Sequence, residues 1–248
     1  MNRLKDRKCV LTGGARGIGR AIVMAFVQEG ADVVILDRNG DVAAKTAREA
    51  AATGASVVAI TADVSDEASV TAALHEAERA LGSIDVLVNN AGIGGSSLLV
   101  DLPVDAWDQM IAVNLRSVFL CTRVALPGMI SRRWDRIIST GSQLAHKGGA
   151  EIVHYRAAKV GVLGFARALA YEVAQYGTTV NTTCPGPIET DVSVTLSEEW
   201  WARKLAELPL GRFGTVDEIA PTAGLLASDE GSYYTGVSLN PSGGDVMI

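Results

Sequence analysis

Three side chains near the middle of the chain have types and spacing that could move a proton: Ser142, Tyr155 and Lys159. Tyr155 and Lys159 stand at i and i+4, so on a helix they share one face, a single turn apart. A phenol alone has a pKa of about 10 and is a poor base at neutral pH. A nearby ammonium favours the phenolate and pulls that value down, so the pair handles a proton better than either residue alone. Ser142 follows the β-like run Arg136-Ile137-Ile138-Ser139-Thr140. Its hydroxyl could hydrogen-bond a carbonyl oxygen that Tyr155 protonates. Tyr-x-x-x-Lys also occurs by chance on amphipathic helices, so the assignment depends on what surrounds it.

The first surrounding element is a nucleotide-type turn. Cys9-Val10-Leu11 is a short apolar run, followed at once by Thr12-Gly13-Gly14-Ala15-Arg16-Gly17-Ile18-Gly19. Ala21, Ile22, Ala25 and Phe26 then keep helical spacing until Gly30. In this strand, turn and helix, Gly13 allows the tight turn, Gly17 lets backbone approach a pyrophosphate, and Gly19 lets the helix pack on the strand. The helix N-terminus offers free N–H groups to the phosphates. The next strand, Asp32–Leu36, ends at Asp37, about 20 residues past the glycines, where a carboxylate accepts from ribose hydroxyls and repels a 2′-phosphate. NAD is therefore expected over NADP. Arg16 and Arg38 are solvent-exposed on the same reading, although both could serve a 2′-phosphate.

A helix over Val42–Ala52 and a strand over Ser56–Ile60 come next. Asp63 with Val64 either takes the adenine edge or simply starts a turn. A helix over Glu67–Leu81 and a strand over Ile84–Val88 lead into Asn89-Asn90-Ala91-Gly92, a polar turn at a strand's carboxyl end, where open α/β sheets bind ligands. A long helical pattern follows Leu102-Pro103. Asn114 sits among its apolar residues and must find partners. It either holds a water beside Lys159 or bridges backbone groups. The fifth strand, Trp134–Thr140, delivers Ser142, and a helix over about Ile152–Tyr176 carries Tyr155 and Lys159. A sixth strand, Thr178–Thr183, is closed by Pro185-Gly186-Pro187. Adjacent residues on a helix point about 100° apart, so Trp200 and Trp201 are not expected to face one core. The segment near 188–210 is read as a cover, with Trp200 toward substrate. A helix over Val216–Ala227 and a strand over Gly236–Leu239 complete the chain.

Composition agrees with a globular enzyme: 248 residues, 48% apolar and 20% charged. A net charge of −6 argues against nucleic acid as the main partner, which requires a basic face. No apolar run reaches roughly 18 residues, so no membrane span is expected. The charged N-terminal residues are not a secretory signal, and a cytoplasmic location follows as the default. Cys9, Cys121 and Cys184 lie in apolar contexts and read as buried thiols, with no metal or disulfide role.

Taken together, these motifs resemble the short-chain dehydrogenase/reductase family in its single-domain form. The resemblance rests on Thr12-Gly13 through Gly17-Ile18-Gly19, Asn89-Asn90-Ala91-Gly92, Asn114, Ser142 with Tyr155 and Lys159, and Pro185-Gly186 with Thr190. Pro209–Gly214 and Gly243-Gly244 add to it. It implies one α/β Rossmann domain over 1–248, a doubly wound seven-stranded parallel sheet in the order 3-2-1-4-5-6-7 with helices on both faces. It implies Tyr155 as general acid/base, Ser142 as orienter of the substrate oxygen, and Lys159 on the nicotinamide ribose, lowering the phenol. It also implies that Asn114 holds a relay water, that Asn90, Ala91, Gly92, Pro185 and Gly186 meet the cofactor, and that Ile188 and Thr190 meet the carboxamide. Homotetramers or homodimers through the long helices are expected. Ala158 stands where the family commonly has Ser, and Arg156 beside the site is also unusual. The activity expected is NAD-dependent interconversion of a secondary alcohol and a ketone. Leu144, Ile152 and Trp200 are expected to line the substrate pocket with Ser142 and Tyr155, with His146 and His154 as nearby structural histidines. The alternatives are an NADPH-dependent 3-oxoacyl-acyl-carrier-protein reductase and a non-catalytic dinucleotide-binding protein.

Overall fold

Strand interiors in this chain are apolar without alternation, as in Cys9-Val10-Leu11 and Val33-Val34-Ile35-Leu36, and such runs require cover on both faces. The computed structural model describes residues 2–190 and 198–248. Seven parallel strands form one sheet: β1 (Lys8–Thr12), β2 (Asp32–Asp37), β3 (Val57–Thr61), β4 (Val86–Asn89), β5 (Asp135–Thr140), β6 (Thr178–Thr183) and β7 (Ser238–Leu239). Their order is β3-β2-β1-β4-β5-β6-β7. The helices are α1 (Gly17–Gln28), α2 (Gly40–Ala51), α3 (Glu67–Leu81), α4 (Val104–Ile111), α5 (Ser117–Arg132), α6 (Val153–Val173), α7 (Glu198–Glu207) and α8 (Ala220–Ala227).

The pleat sorts each strand into two cores. Cys9, Leu11, Val33, Ile35, Val86 and Val88 pack with α1, α2 and α8 on one face. Val10, Val34, Leu36, Leu87, Ile137 and Val180 pack with α3, α5 and α6 on the other. Each fully buried Leu, Ile or Val contributes about 1.5–3 kcal/mol, so both layers are strongly held. The expected Rossmann architecture is therefore present. Strand order reverses between β1 and β4, which opens a crevice at their carboxyl ends. Register levels those ends: Thr12 pairs with Asn89, Asn89 with Ser139, and Ser139 with Thr182.

Helix α3 has the bounds its signals predict. Asp66 accepts from the Ser69 amide at 2.7 Å as N-cap, and Gly82 takes the left-handed conformation after its last turn. Other bounds shift. Asn39 caps α2 two residues earlier than expected. The Val216–Ala227 pattern splits into a short 3-10 turn and α8 near Pro221, which lacks an N–H. The long pattern after Pro103 is not uniform: Ala112–Arg116 form a π-helical segment between α4 and α5. Val104–Arg132 is long and apolar enough to cross a membrane by length and composition alone. That rod packs against β4, β5, α3 and α6 as a core layer.

The amino ends of the strands are closed by ion pairs. Lys8 pairs with Asp32 at 2.5 Å, and Arg132 with the buried Asp135 at 3.0 Å. Arg7 and Arg136 lie 3.2 Å and 4.1 Å from the centre of the Trp134 ring, whose Nε1 donates to Asp229. Gly177 turns the chain from α6 into β6 with φ +75°, and a Cβ there would sit 2.4 Å from the Arg133 carbonyl oxygen. Gly177→Ala is expected to lower stability by at least about 2 kcal/mol. Urea unfolding should show a lower midpoint with an unchanged slope.

Candidate active site

Helix α1 begins at Gly17, with Arg16 before it giving no side-chain cap and no acidic residue in its first turn. Its first amides therefore face the crevice free, which suits a pyrophosphate. Gly13 (φ +69°) and Gly19 are locked by contact: a Cβ on Gly13 would lie 2.8 Å from Ala91 Cα, and one on Gly19 2.0 Å from the Gly13 oxygen. Gly17 (φ +56°) has open space around it, where a ligand's phosphates would approach. The crevice encloses about 280 Å³. It is lined by Gly13, Arg16, Gly17, Ile18, Gly19, Asp37, Arg38, Asp63, Val64, Asn90, Ala91, Gly92 and Thr190, with Ile93 and Val113.

A polar chain ties the strand tips together. Thr12 Oγ1 accepts from the amides of Asn90 (3.0 Å) and Ala91 (3.1 Å). Asn90 Nδ2 donates to the carbonyls of Thr12 and Gly13, and its Oδ1 accepts from Thr140 Oγ1 at 3.1 Å. The Thr140 carbonyl in turn accepts from Lys159 Nζ at 2.7 Å. Asn90 therefore lines the crevice but uses its amide to fasten the glycine turn. Thr12 and Thr140 were not singled out from sequence, although polar residues at strand carboxyl ends are the available signal.

Ser142, Tyr155, Lys159 and Asn114 converge beside this chain. Ser142 and Lys159 are buried. Asn114 is buried at the π segment, where its amide pairs with the Ile93 backbone in both directions, at 3.0 Å and 3.1 Å. It therefore bridges backbone groups. A Cβ on Gly92 would lie 2.7 Å from Asn114 Oδ1 and 3.7 Å from Lys159 Nζ, so Gly92 separates the two. Lys159 Nζ is 5.8 Å from the Tyr155 ring centre. Cys184 is fully buried against the same group, and a Cβ on Gly141 would sit 2.8 Å from its Sγ. Burial pushes its thiol up to about 11, so it is an inert neighbour.

The electrostatics correct one expectation. Burial pushes the Tyr155 phenol above its ordinary value, while the Ser142 hydroxyl beside it works in the opposite direction. The lowering expected from Lys159 does not dominate. Burial instead pushes Lys159 itself down to about 8, because the packed interior disfavours its charge.

The remaining predicted residues divide. Asp37 accepts from the amides of Ala15 (3.1 Å) and Asn39 (2.9 Å), so it holds the glycine turn while lining the crevice. Asp63 accepts from the Ser65 amide and hydroxyl, the turn role, and these bonds with the nearby Arg38 charge hold its carboxyl below the usual range. Pro185 and Gly186 do not line the crevice. The Pro185 carbonyl accepts from Gln143 and so supports the Ser142 loop, and Gly186 packs against Ser242 backbone. Ile188 bridges to Gly214 and lines a separate 230 Å³ cavity. Leu144 donates its amide to Ser142 Oγ at 3.1 Å, and Ile152 precedes α6, so both flank the reacting set. Trp200 and Trp201 do share one cluster, contrary to expectation. Trp201 stacks on Phe213 at 4.1 Å, and Trp200 meets both rings edge-on, since large rings reach around the helix. The cover read near 188–210 includes residues 191–197, which lie outside the described residues.

Residues 7–200 match the family model described as short chain dehydrogenase. This chain belongs to the short-chain dehydrogenase/reductase family. The 3-oxoacyl-acyl-carrier-protein reductase FabG of Salmonella typhimurium is 41% identical over 241 residues, covering 96% of this chain and 97% of that one. The 2-(S)-hydroxypropyl-CoM dehydrogenase 3 of Xanthobacter autotrophicus is 37% identical over 253 residues, covering 100% and 99%. A blue fluorescent protein from a metagenomic library, solved in complex with NADPH, superposes with a TM-score of 0.94 at 36% identity, covering 99% and 100%. As a short-chain dehydrogenase/reductase, the protein is an oxidoreductase that binds a nicotinamide dinucleotide, and the uncapped α1 over open Gly17 fits that ligand.

Because the folded-state value of Lys159 lies below the ordinary 10.5, holding its proton opposes folding at neutral pH. That penalty fades as pH rises from about 8 toward 10.5. The stability of the wild type relative to Lys159→Met is therefore expected to rise across that window, as urea unfolding at stepped pH would read.

Proposed function

We propose that this protein interconverts a secondary alcohol and a ketone by hydride transfer, with NAD preferred over NADP. The observation that carries the chemistry is the convergence of Ser142, Tyr155 and Lys159 beside a dinucleotide crevice. A bound dinucleotide would accept or supply the hydride. In oxidation, Tyr155 takes the hydroxyl proton of the alcohol while Ser142 holds the same oxygen in line. In reduction, the phenol returns that proton to the carbonyl oxygen. A phenol raised by burial rests in the protonated form, the one that donates in reduction. Lys159 is anchored on the Thr140 carbonyl with hydrogens to spare for a ribose hydroxyl. Asn114 braces the Ile93 backbone at the floor of the site. Leu144, Ile152 and Trp200 are assigned to the substrate side, with residues 188–210 as cover of a single domain.

NAD preference rests on Asp37. Its carboxylate receives two backbone amides and keeps acceptor capacity for ribose hydroxyls, while its charge opposes a 2′-phosphate. Asp63 and Val64 stand at the adenine end of the crevice, and Pro185, Gly186 and Ile188 support it from outside. A second reading, an NADPH-dependent 3-oxoacyl-acyl-carrier-protein reductase, draws support from the relatives so named and from Arg16 and Arg38 on the crevice wall. A cytoplasmic homotetramer or homodimer completes the proposal. Exposed Phe119 on α5 and Val160 and Tyr171 on α6 offer an apolar face for assembly.

Titrations with NADH and NADPH should show tighter binding of NADH, and Asp37→Ala should shrink the gap by about 1–3 kcal/mol. Tighter NADPH binding by the wild type, with turnover of a 3-oxoacyl thioester, would favour the second reading. Tyr155→Phe should lower turnover of any accepted ketone by at least about a hundredfold while NADH still binds. Retained activity in that variant would refute the acid/base assignment.

A further inference from the structure

Three segments far apart in sequence meet at one buried carboxylate. The Asp245 side chain is 2% exposed, and its Oδ1 receives Lys147 Nζ at 2.5 Å and Lys204 Nζ at 2.7 Å. Lys147 lies five residues beyond Ser142, on the loop leaving the reacting set. Lys204 lies on α7, and its side chain is 12% exposed. Losing that charge would leave the largely buried Lys204 ammonium facing the part-exposed Lys147 ammonium with no anion between them. The surrounding backbone adds a second tie. The Leu210 amide donates to the Gly243 carbonyl at 3.2 Å, and Gly244 packs against Pro209. Residues 242–246 thus run between the exit of α7 and the Ser142 loop. Trp201 and Trp200 lean from α7 onto Phe213 in the next turn.

We propose that Asp245 is a positioning residue: its ion pairs with Lys147 and Lys204 fix α7 against the loop that carries Ser142 and so set the shape of the substrate side of the site. The proposal rests on the assignment of Ser142 and of the segment near 188–210 to the substrate side. Asp245 touches no reacting atom. It transmits order from α7 to the loop through two ammonium groups. The exposed partner of Lys204, Glu207, does not share this role, since an i,i+3 surface pair is only weakly coupled.

Hydrogen exchange read by mass spectrometry tests this on the full chain. In Asp245→Asn, which keeps the shape and removes the charge, amides of residues 198–207 should exchange at least about tenfold faster than in the wild type. Those of β1, β4 and α1 should stay unchanged. Lys204→Met should reproduce the effect, and Glu207→Gln should not. With an accepted ketone, Asp245→Asn should raise KM several-fold with little change in kcat, and the dinucleotide Kd should not move. Unaltered exchange in 198–207, or faster exchange throughout the sheet, would overturn the proposal. Exchange is read without turnover, so it decides this point even if the oxidoreductase substrate assignment fails.

Discussion

The site depends on a fastening of strand tips. A parallel sheet leaves its carboxyl-end backbone groups without ladder partners, and here one threonine, one asparagine and a second threonine satisfy them across β1, β4 and β5. The same chain ends on the lysine that faces the phenol. The glycine turn and the proton-handling set are therefore not independent modules. A shift of one tip would move the phosphate-facing amides and the ammonium together. Level register makes this possible, since Thr12, Asn89, Ser139 and Thr182 end in one row.

Burial supplies the second constraint. Tyr155, Lys159 and Cys184 are packed tightly enough that desolvation is the largest influence on each. Sequence spacing suggests a simple cation-lowers-phenol picture, whereas the packed site raises the phenol and lowers the ammonium. The lysine keeps most of its charge at neutral pH, yet burial outweighs it in setting the phenol. Its geometric role, bridging a strand tip and the helix that bears the phenol, is the firmer one.

Much of this was legible before any coordinates. Strand runs, the α3 bounds, the glycine turn and the reacting triplet all follow from local rules, because each depends on residues close in sequence. What escaped depends on distance. The π segment at Asn114 has no local signature among its apolar neighbours. The tryptophan pair defeats a point-like view of side chains, since ring size lets both reach Phe213. Pro185, Gly186 and Ile188 carry a recognisable motif, and their backbone ties to Gln143, Pro241 and Gly214 have no local signature. Asp245 looks like one acidic residue among many until Lys147, 98 positions earlier, arrives beside it.

The two ends of the sheet are built on opposite terms. The amino ends are clamped by Lys8 with Asp32, Arg132 with Asp135, and two guanidiniums about Trp134. Those contacts brace the amino-end face without involving the catalytic rim. Loops at the far rim are consequently free to diverge, and a lineage could trade one ketone for another by rewriting them while inheriting the clamped base intact.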